Sequence, residues 1–518
     1  MRERVEIMDT TLRDGEQTSG VSFTANEKLS ITKLLLEEIK VDRIEVASAR
    51  VSAGEYEGVR KIVSYASQAG FLDRVEVLAF IDRNASLDWI KETGVFVANL
   101  LTKGSIRHVT GQLGKTPAEH LADIKRSIEY AQKQNIQVNL YLEDWSNGMK
   151  SSKDYVFFIL DGLADYPVMR FMLPDTLGIL NPDETYSFCK EILDRYPGKR
   201  FDFHAHNDYD LAAGNVFSAL KAGIRGLHTT VNGLGERAGN VPLSSVLGVI
   251  LDHFHFRVSV NEKKIYLASK LVESFSGIRI PANRPIIGDN VFTQTCGVHA
   301  DGDNKDNLYY NDLKPERFGR KRAYALGKTA GKANILKNLQ ELGIELSLNE
   351  IKSVTKKVIE LGDRKENITT EDLPYIVADV LNSEVIEKKI KIINFFLSSA
   401  QGLKSVATLM IEIDGKKYEE TSSGDGQYDA FMKALKKIYK SLNKEIPRLA
   451  DYVVTIPPGG KTDALVSTVI TWDYQKNGRE LKTRALDPDQ TVAAITATMK
   501  MLNIIENQKQ QTGKVVNL

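Results

Sequence analysis

The sequence predicts an α/β chain: a closed (β/α)8 barrel, then a mainly helical linker region, then a C-terminal α+β domain of two βββα repeats. Three observations carry this. Short β-rich runs alternate with helical patterns eight times in about 250 residues, the unit count and length of a closed barrel; an open doubly wound sheet needs no eighth unit. The alternation stops near residue 270. Beyond residue 390, three strands and a helix occur twice in succession, an internal repeat. The expected domains are 1–268, 269–388 and 389–518.

Taken in order, the barrel strands are expected at 5–9, 43–47, 75–80, 96–101, 137–142, 168–173, 200–204 and 226–230. Helical patterns follow them near 25–40, 53–69, 86–93, 117–134, 151–165, 182–195, 208–222 and 241–252. Residues 278–288 read as an irregular connector, and 294–302 as a polar loop or helix start. Helical periodicity returns near 331–342, 347–362 and 370–381. In the terminal repeat, strands are expected at 392–397, 405–413 and 416–422, with a helix from about 424 to 442. The second copy places strands at 450–456, 463–472 and 479–485, with a helix to about 503. Asp425 and Asp487 suit the starts of the two helices as caps or first-turn residues, with Pro488 beside the second.

Composition narrows the function. Hydrophobic content of 42% and charged content of 26% suit an ordinary soluble globular protein. The formal net charge of +1 offers no basic field for nucleic acid or an anionic membrane. No apolar run is long enough to span a bilayer, and residues 1–6 begin no signal-peptide core, so a cytoplasmic location is expected. Two cysteines, Cys189 and Cys296, supply neither a disulfide framework nor a multi-cysteine zinc site.

The chemistry gathers where barrel strands end, which is where barrel active sites lie. In Phe201-Asp202-Phe203-His204-Ala205-His206, apolar and polar residues alternate. His204 and His206 then share one face of the strand, while Phe201, Phe203 and Ala205 share the other. Two adjacent imidazoles can hold one divalent metal. Strand one runs into Asp9-Thr10-Thr11-Leu12-Arg13-Asp14-Gly15-Glu16-Gln17, strand five into Glu143-Asp144, strand six into Asp175-Thr176, and strand eight into the loop Asn232–Asn240. Asp14, His204, His206 and Asn240 form a mixed N/O set suited to Mn, Mg, Co or Zn. A metal there would polarise a ketone. Arg13 could stabilise developing negative charge, and Glu143 could transfer or orient a proton.

Together the Asp9–Gln17 stretch, His204-Ala205-His206-Asn207-Asp208, and Asn232-Gly233-Leu234-Gly235-Glu236-Arg237-Ala238-Gly239-Asn240 resemble the α-isopropylmalate, homocitrate and citramalate synthase family, and the paired terminal repeat resembles its regulatory domain. The resemblance spans essentially the whole chain. It implies a Claisen-type condensation of acetyl-CoA with an α-keto acid, then thioester hydrolysis. It also implies a divalent metal on Asp14, His204, His206 and Asn240, with Arg13 binding the keto acid and Thr176 its carboxylate. Glu143 and His299 would serve proton transfer, His299 being donated across a homodimer, and Asp301, Asn307 and Tyr309 would complete the site.

Leu78, Leu101 and Tyr141 sit at strand ends that should face the keto acid's side chain. Two leucines and a tyrosine make a small apolar pocket that suits a methyl group and offers a second carboxylate no basic partner. The trio is similar to that of citramalate synthases and implies pyruvate; relatives that make isopropylmalate from 2-oxoisovalerate tend to carry smaller or polar residues at the latter two positions. Tyr428, Asp429, Leu449, Tyr452, Ile456, Val466, Pro488 and Gln490 resemble positions around the family's amino-acid effector pocket, with isoleucine the effector for the first substrate and leucine for the second. Two other classes stay open at this point: a non-catalytic amino-acid-binding protein on a retired barrel, and a metal-dependent aldolase or lyase.

Overall fold

The structure, a computed structural model, describes residues 3–342, 344–363, 368–381, 389–455, 466–475 and 479–514. It divides into two compact units, one of residues 1–292 and 310–322, the other of residues 293–309 and 323–518.

The first unit is built on eight parallel strands paired in chain order and closed by β1 against β8. They are β1 (Glu6–Asp9), β2 (Arg43–Ser48), β3 (Val75–Phe80), β4 (Val97–Lys103), β5 (Gln137–Glu143), β6 (Val168–Asp175), β7 (Phe201–Ala205) and β8 (Gly226–Thr229). Closure settles the choice between barrel and open sheet. Several helices start where local chemistry satisfies their first N–H groups. Thr24 with Glu27, Thr116 with Glu119 and Asn181 with Glu184 form capping boxes, the last two followed by proline. The helix expected at 151–165 is Lys153–Gly162, and a further helix that was not expected, Trp145–Ser151, precedes it. The break between the two falls at Ser152, which leaves helical geometry.

Strand parity sorts the barrel wall. On β7, Phe201, Phe203 and Ala205 enter the apolar layer between strands and helices, as the alternation predicts. The barrel interior, usually filled by branched apolar side chains, here holds a buried polar network. Arg43 bonds Glu76 at 2.9 Å and Asp202 at 2.5 Å. Asn99 donates to Glu45 at 2.8 Å and accepts from Asn139 at 2.9 Å. Gly226 makes room for Asp202: a Cβ at that position would lie 1.8 Å from Asp202 Oδ1. Gly226→Ala must therefore push a buried, ion-paired carboxylate off its arginine. A loss of about 3 kcal/mol is expected, since disrupting a buried pair is strongly destabilising. It should appear as a lower midpoint for the barrel's thermal transition; an unchanged midpoint would show that the carboxylate relocates without cost.

In the second unit, the helix Gly297–Asp306 stands where a polar loop or helix start is expected. β9 (Thr293–Gln294) and β10 (Ala323–Tyr324) pair beside the helices Lys332–Leu342, Leu348–Asp363 and Leu373–Leu381, which share an apolar core. The repeat follows as two antiparallel sheets: β11 (Ile390–Ser398), β12 (Ser405–Ile413) and β13 (Lys416–Gly424), then β14 (Arg448–Thr455), β15 (Val466–Gln475) and β16 (Arg479–Asp487). β12 alternates strictly, with Ala407, Leu409, Ile411 and Ile413 buried in an apolar core shared with the helices Gln427–Ser441 and Gln490–Lys514. The caps differ from expectation. Gly426 precedes the first helix, and Asp489 rather than Asp487 caps the second, accepting from Thr491 N and Val492 N at 2.7 and 3.2 Å. Asp487 instead accepts from Asp489 N, one turn too early to reach the helix. Among the described residues, no helix is long and apolar enough to cross a membrane.

Candidate active site

β1 ends in a tight turn in which the N–H groups of Arg13, Asp14 and Gly15 converge on the Thr10 carbonyl. The turn lifts Asp14 over the mouth of the barrel. The loop after β8 meets it: Val231 N donates to Thr11 Oγ1 at 2.8 Å, and Asn240 Nδ2 donates to Asp14 Oδ1 at 2.9 Å. Gly235 (φ +150°) allows this approach, because a Cβ there would lie 2.3 Å from Asn240 Nδ2. β7 supplies the imidazoles. His204 Nε2 and His206 Nε2 lie 3.5 and 4.0 Å from Asp14 Oδ2.

Asp14, His204 and His206 are all buried, and one ligand atom from each lies within 4.8 Å of the others. His204 Nδ1, His206 Nδ1 and Asn240 Oδ1 are buried with no hydrogen-bond partner, an unusual accumulation for one site. Burial pushes both imidazoles below their ordinary pKa, which keeps them neutral and able to donate lone pairs. Burial alone would raise the Asp14 carboxyl. The charges of Arg13 and the two histidines outweigh it and hold the carboxyl well below the usual range. A carboxylate and two neutral imidazoles are the donor set a divalent cation takes, so these residues fit such a metal.

Arg13 is mostly buried, and all three of its guanidinium nitrogens are engaged. Its Nε donates to Glu45 at 2.6 Å, Nη1 to Asp14 at 2.7 Å and Nη2 to the Tyr141 hydroxyl at 3.2 Å. Burial opposes its charge, but Glu45 and Asp14 reverse the effect and raise its pKa, so it remains a cation.

A cavity of about 200 Å³ opens over these groups, lined by Arg13, Asp14, His204 and His206 with Leu78, Leu101, Tyr141, Glu143 and Thr176. The barrel thus brings nine of the residues expected at strand ends to one cavity. Leu78, Leu101 and Tyr141 form one apolar cluster with Met8 and Met172. Glu143 is paired with Lys103. The Thr176 hydroxyl accepts from Asp144 N at 2.9 Å, which leaves its proton free to donate. Asp175 makes the turn after β6, accepting from Ile179 N and Leu180 N.

His299, Asp301, Asn307 and Tyr309 belong to the second unit. His299 and Asp301 lie on the helix Gly297–Asp306, where the rings of His299 and Tyr309 stand 4.2 Å apart, and Asn307 ends that helix in the left-handed region. In the terminal repeat, the rings of Tyr428 and Tyr452 are 5.5 Å apart, and Tyr428 bonds Thr498 at 2.7 Å. Asp429 accepts from Asp425 N and pairs with Lys433. Leu449 and Val466 lie on β14 and β15, Pro488 and Gln490 are exposed at the start of the last helix, and Ile456 lies outside the described residues.

Sequence reasoning missed Glu45 and His228, both fully buried in the barrel. The signal was present: Arg43 and Glu45 are charged at alternate positions of a strand with Ile44, Val46 and Ala47 around them, so both must face one side.

Comparison with known proteins agrees with this layout. The family model HMGL-like matches residues 4–272, the homocitrate synthase post-HMGL domain-like model residues 286–366, and the LeuA allosteric (dimerisation) domain model residues 367–506. The (R)-citramalate synthase of Methanocaldococcus jannaschii is 32% identical, over 97% of this chain and 100% of its own. The 2-isopropylmalate synthase of the same organism is 30% identical, over 98% of this chain and 96% of its own. Barrel, connecting helices and terminal repeat thus match in one order over nearly the full length, and the chain belongs to the HMGL-like family, within its branch of acetyl-CoA-dependent condensing enzymes that carry a LeuA domain, the citramalate and 2-isopropylmalate synthases.

Proposed function

We propose that this enzyme condenses acetyl-CoA with pyruvate and hydrolyses the thioester, giving (R)-citramalate and CoA, in isoleucine biosynthesis. The observation that supports pyruvate is the floor of the cavity. Leu78, Leu101 and Tyr141 close it together with Met8 and Met172, and the Tyr141 hydroxyl is tied to Arg13. No cation other than Arg13 lines the cavity among the described residues, so a second carboxylate on the keto acid would have no partner of its own. The relative that makes 2-isopropylmalate keeps 2-oxoisovalerate as the second reading. An apolar pocket discriminates by only ~1–3 kcal/mol per methylene, so weak turnover of 2-oxobutanoate is expected.

In this reading Asp14, His204, His206 and Asn240 hold a divalent metal, which supplies Lewis-acid polarisation of the keto group. Arg13 lies beside the same oxygen position and stabilises the negative charge that develops there as the new C–C bond forms. Thr176 donates to the keto acid's carboxylate. Glu143 moves a proton at the cavity rim, where Lys103 keeps its carboxylate in place. His299, with Asp301, Asn307 and Tyr309, completes the proton-transfer machinery from the second subunit of a homodimer. The terminal domain takes an amino-acid effector, isoleucine for this product, on the surface around Tyr428 and Tyr452; inhibition then requires two states that bind it unequally.

The deciding experiment is thiol release from acetyl-CoA with Mn2+ and pyruvate, 2-oxobutanoate, 2-oxoisovalerate or 2-oxoglutarate. Preference for pyruvate supports the proposal; preference for 2-oxoisovalerate retains the reaction type and overturns the substrate. Tyr141→Ala should shift preference toward bulkier keto acids by about tenfold or more in relative kcat/KM. An unaltered ranking would place the selector elsewhere.

A further inference from the structure

We propose that His228 determines keto-acid preference from beneath the pocket, by holding the Tyr141 ring in the position that makes the pocket small. The inference rests on the pocket assigned above. His228 is on β8, is 1% exposed, and does not line the cavity. It can act on substrate only through another side chain.

That side chain is Tyr141. Its hydroxyl lies 3.1 Å from His228 Nδ1 and 3.2 Å from Arg13 Nη2. Arg13 can only donate, so the phenol oxygen accepts from it, and the phenol proton is directed elsewhere. On the far side of the imidazole, His228 Nε2 is 3.3 Å from Asp202 Oδ2, and that carboxylate is held by Arg43 at 2.5 Å. An ion-paired carboxylate accepts, so in the neutral imidazole Nε2 carries the proton and Nδ1 offers its lone pair to the tyrosine. One directed chain therefore runs from Arg43 and Asp202 through His228 to the Tyr141 hydroxyl. The ring also packs edge-on against His228 and His204, with centroids 5.5 and 6.1 Å apart.

The other acceptor near the phenol is Glu45 Oε2 at 3.5 Å, which already accepts from Arg13 and Thr10 at 2.6 and 2.8 Å. Without His228, the hydroxyl loses its nearest acceptor among the described residues, and with Arg13 alone holding it closely the ring can shift from the wall it forms with Leu78 and Leu101. A pocket bounded by a movable ring admits larger side chains. His228 is in this sense a positioning residue, and the specificity it confers is carried by one hydrogen bond.

The test compares kcat/KM for pyruvate, 2-oxobutanoate and 2-oxoisovalerate in the full-length enzyme with Mn2+. The variants are His228→Leu, His228→Gln, Tyr141→Phe and the His228→Leu/Tyr141→Phe pair. His228→Leu should change the ratio of pyruvate to 2-oxobutanoate by about tenfold in favour of the larger acid, as loss of one buried hydrogen bond permits. Tyr141→Phe, which keeps the ring and removes only the hydroxyl, should shift the ratio in the same direction by a similar factor. The pair should shift it no further. His228→Gln, which can still accept from the phenol and donate to Asp202, should restore most of the wild-type ratio. A uniform loss with all three acids, or shifts that multiply in the pair, would overturn the proposal. If His228→Leu does not fold, Tyr141→Phe decides, since an unchanged ratio there removes the hydrogen bond from any role in selection. A wild-type preference for 2-oxoisovalerate would instead overturn the assigned substrate, a result read before any variant is made.

Discussion

Asp14→Ala is expected to lower metal-dependent thiol release by at least about 10³-fold, the scale of losing a group that organises transition-state charge. The carboxylate stands between two neutral imidazoles and is the only anion in that donor set. Removing it leaves His204 and His206 without the charge that favours a divalent cation, and leaves Arg13 with Glu45 as its remaining carboxylate. The fold should survive, because Asn240 Nδ2 keeps the Leu234 carbonyl as acceptor and the turn after β1 is made by backbone bonds to Thr10. Two measurements check this together: CoA release, and Mn2+ binding by calorimetry on metal-stripped protein. Loss of both with a retained thermal transition is the expected result. Unchanged Mn2+ affinity would remove Asp14 from the metal site, and unchanged turnover would remove the site from the reaction.

Arg13→Lys should be nearly as severe, with kcat/KM for the keto acid reduced about 10²- to 10³-fold. Charge is preserved, so the effect isolates geometry. Three nitrogens of the guanidinium reach Glu45, Asp14 and Tyr141 at once. A lysine ammonium is a single donor centre and cannot span those partners. Tyr141 would also lose the donor on one side of its hydroxyl, so the ranking of keto acids should loosen along with the rate. A fall of less than about tenfold would mean that the charge of Arg13, not its fork, does the work.

The barrel was legible because eight hydrophobic periods are written locally. The units declare their strands by short β-rich runs, and several declare their helix starts by caps such as Asn181 with Pro182. The site residues at strand ends were legible for a related reason: a polar residue at the end of a buried strand has few places to go but the rim. Glu45, Asp202 and His228 were not read as part of the site, although Asp202 shares the parity of His204 and His206. Parity gives a face, but not which residue on a neighbouring strand lies opposite. That depends on strand stagger, which local sequence does not encode.

The sequence by itself determined the fold class, the order of its parts, the candidate rim residues and the donor types of the candidate metal site, because these follow from periodicity and side-chain chemistry. Only the tertiary structure decided which partner each polar group takes. It put Arg13 between Glu45 and Asp14, joined Tyr141 to His228, and turned the amide nitrogen of Asn240 toward Asp14. Those pairings link residues up to 226 positions apart. They exist because barrel closure brings β1 against β8 and points alternate side chains into one small interior, where a buried polar group left without a partner is costly.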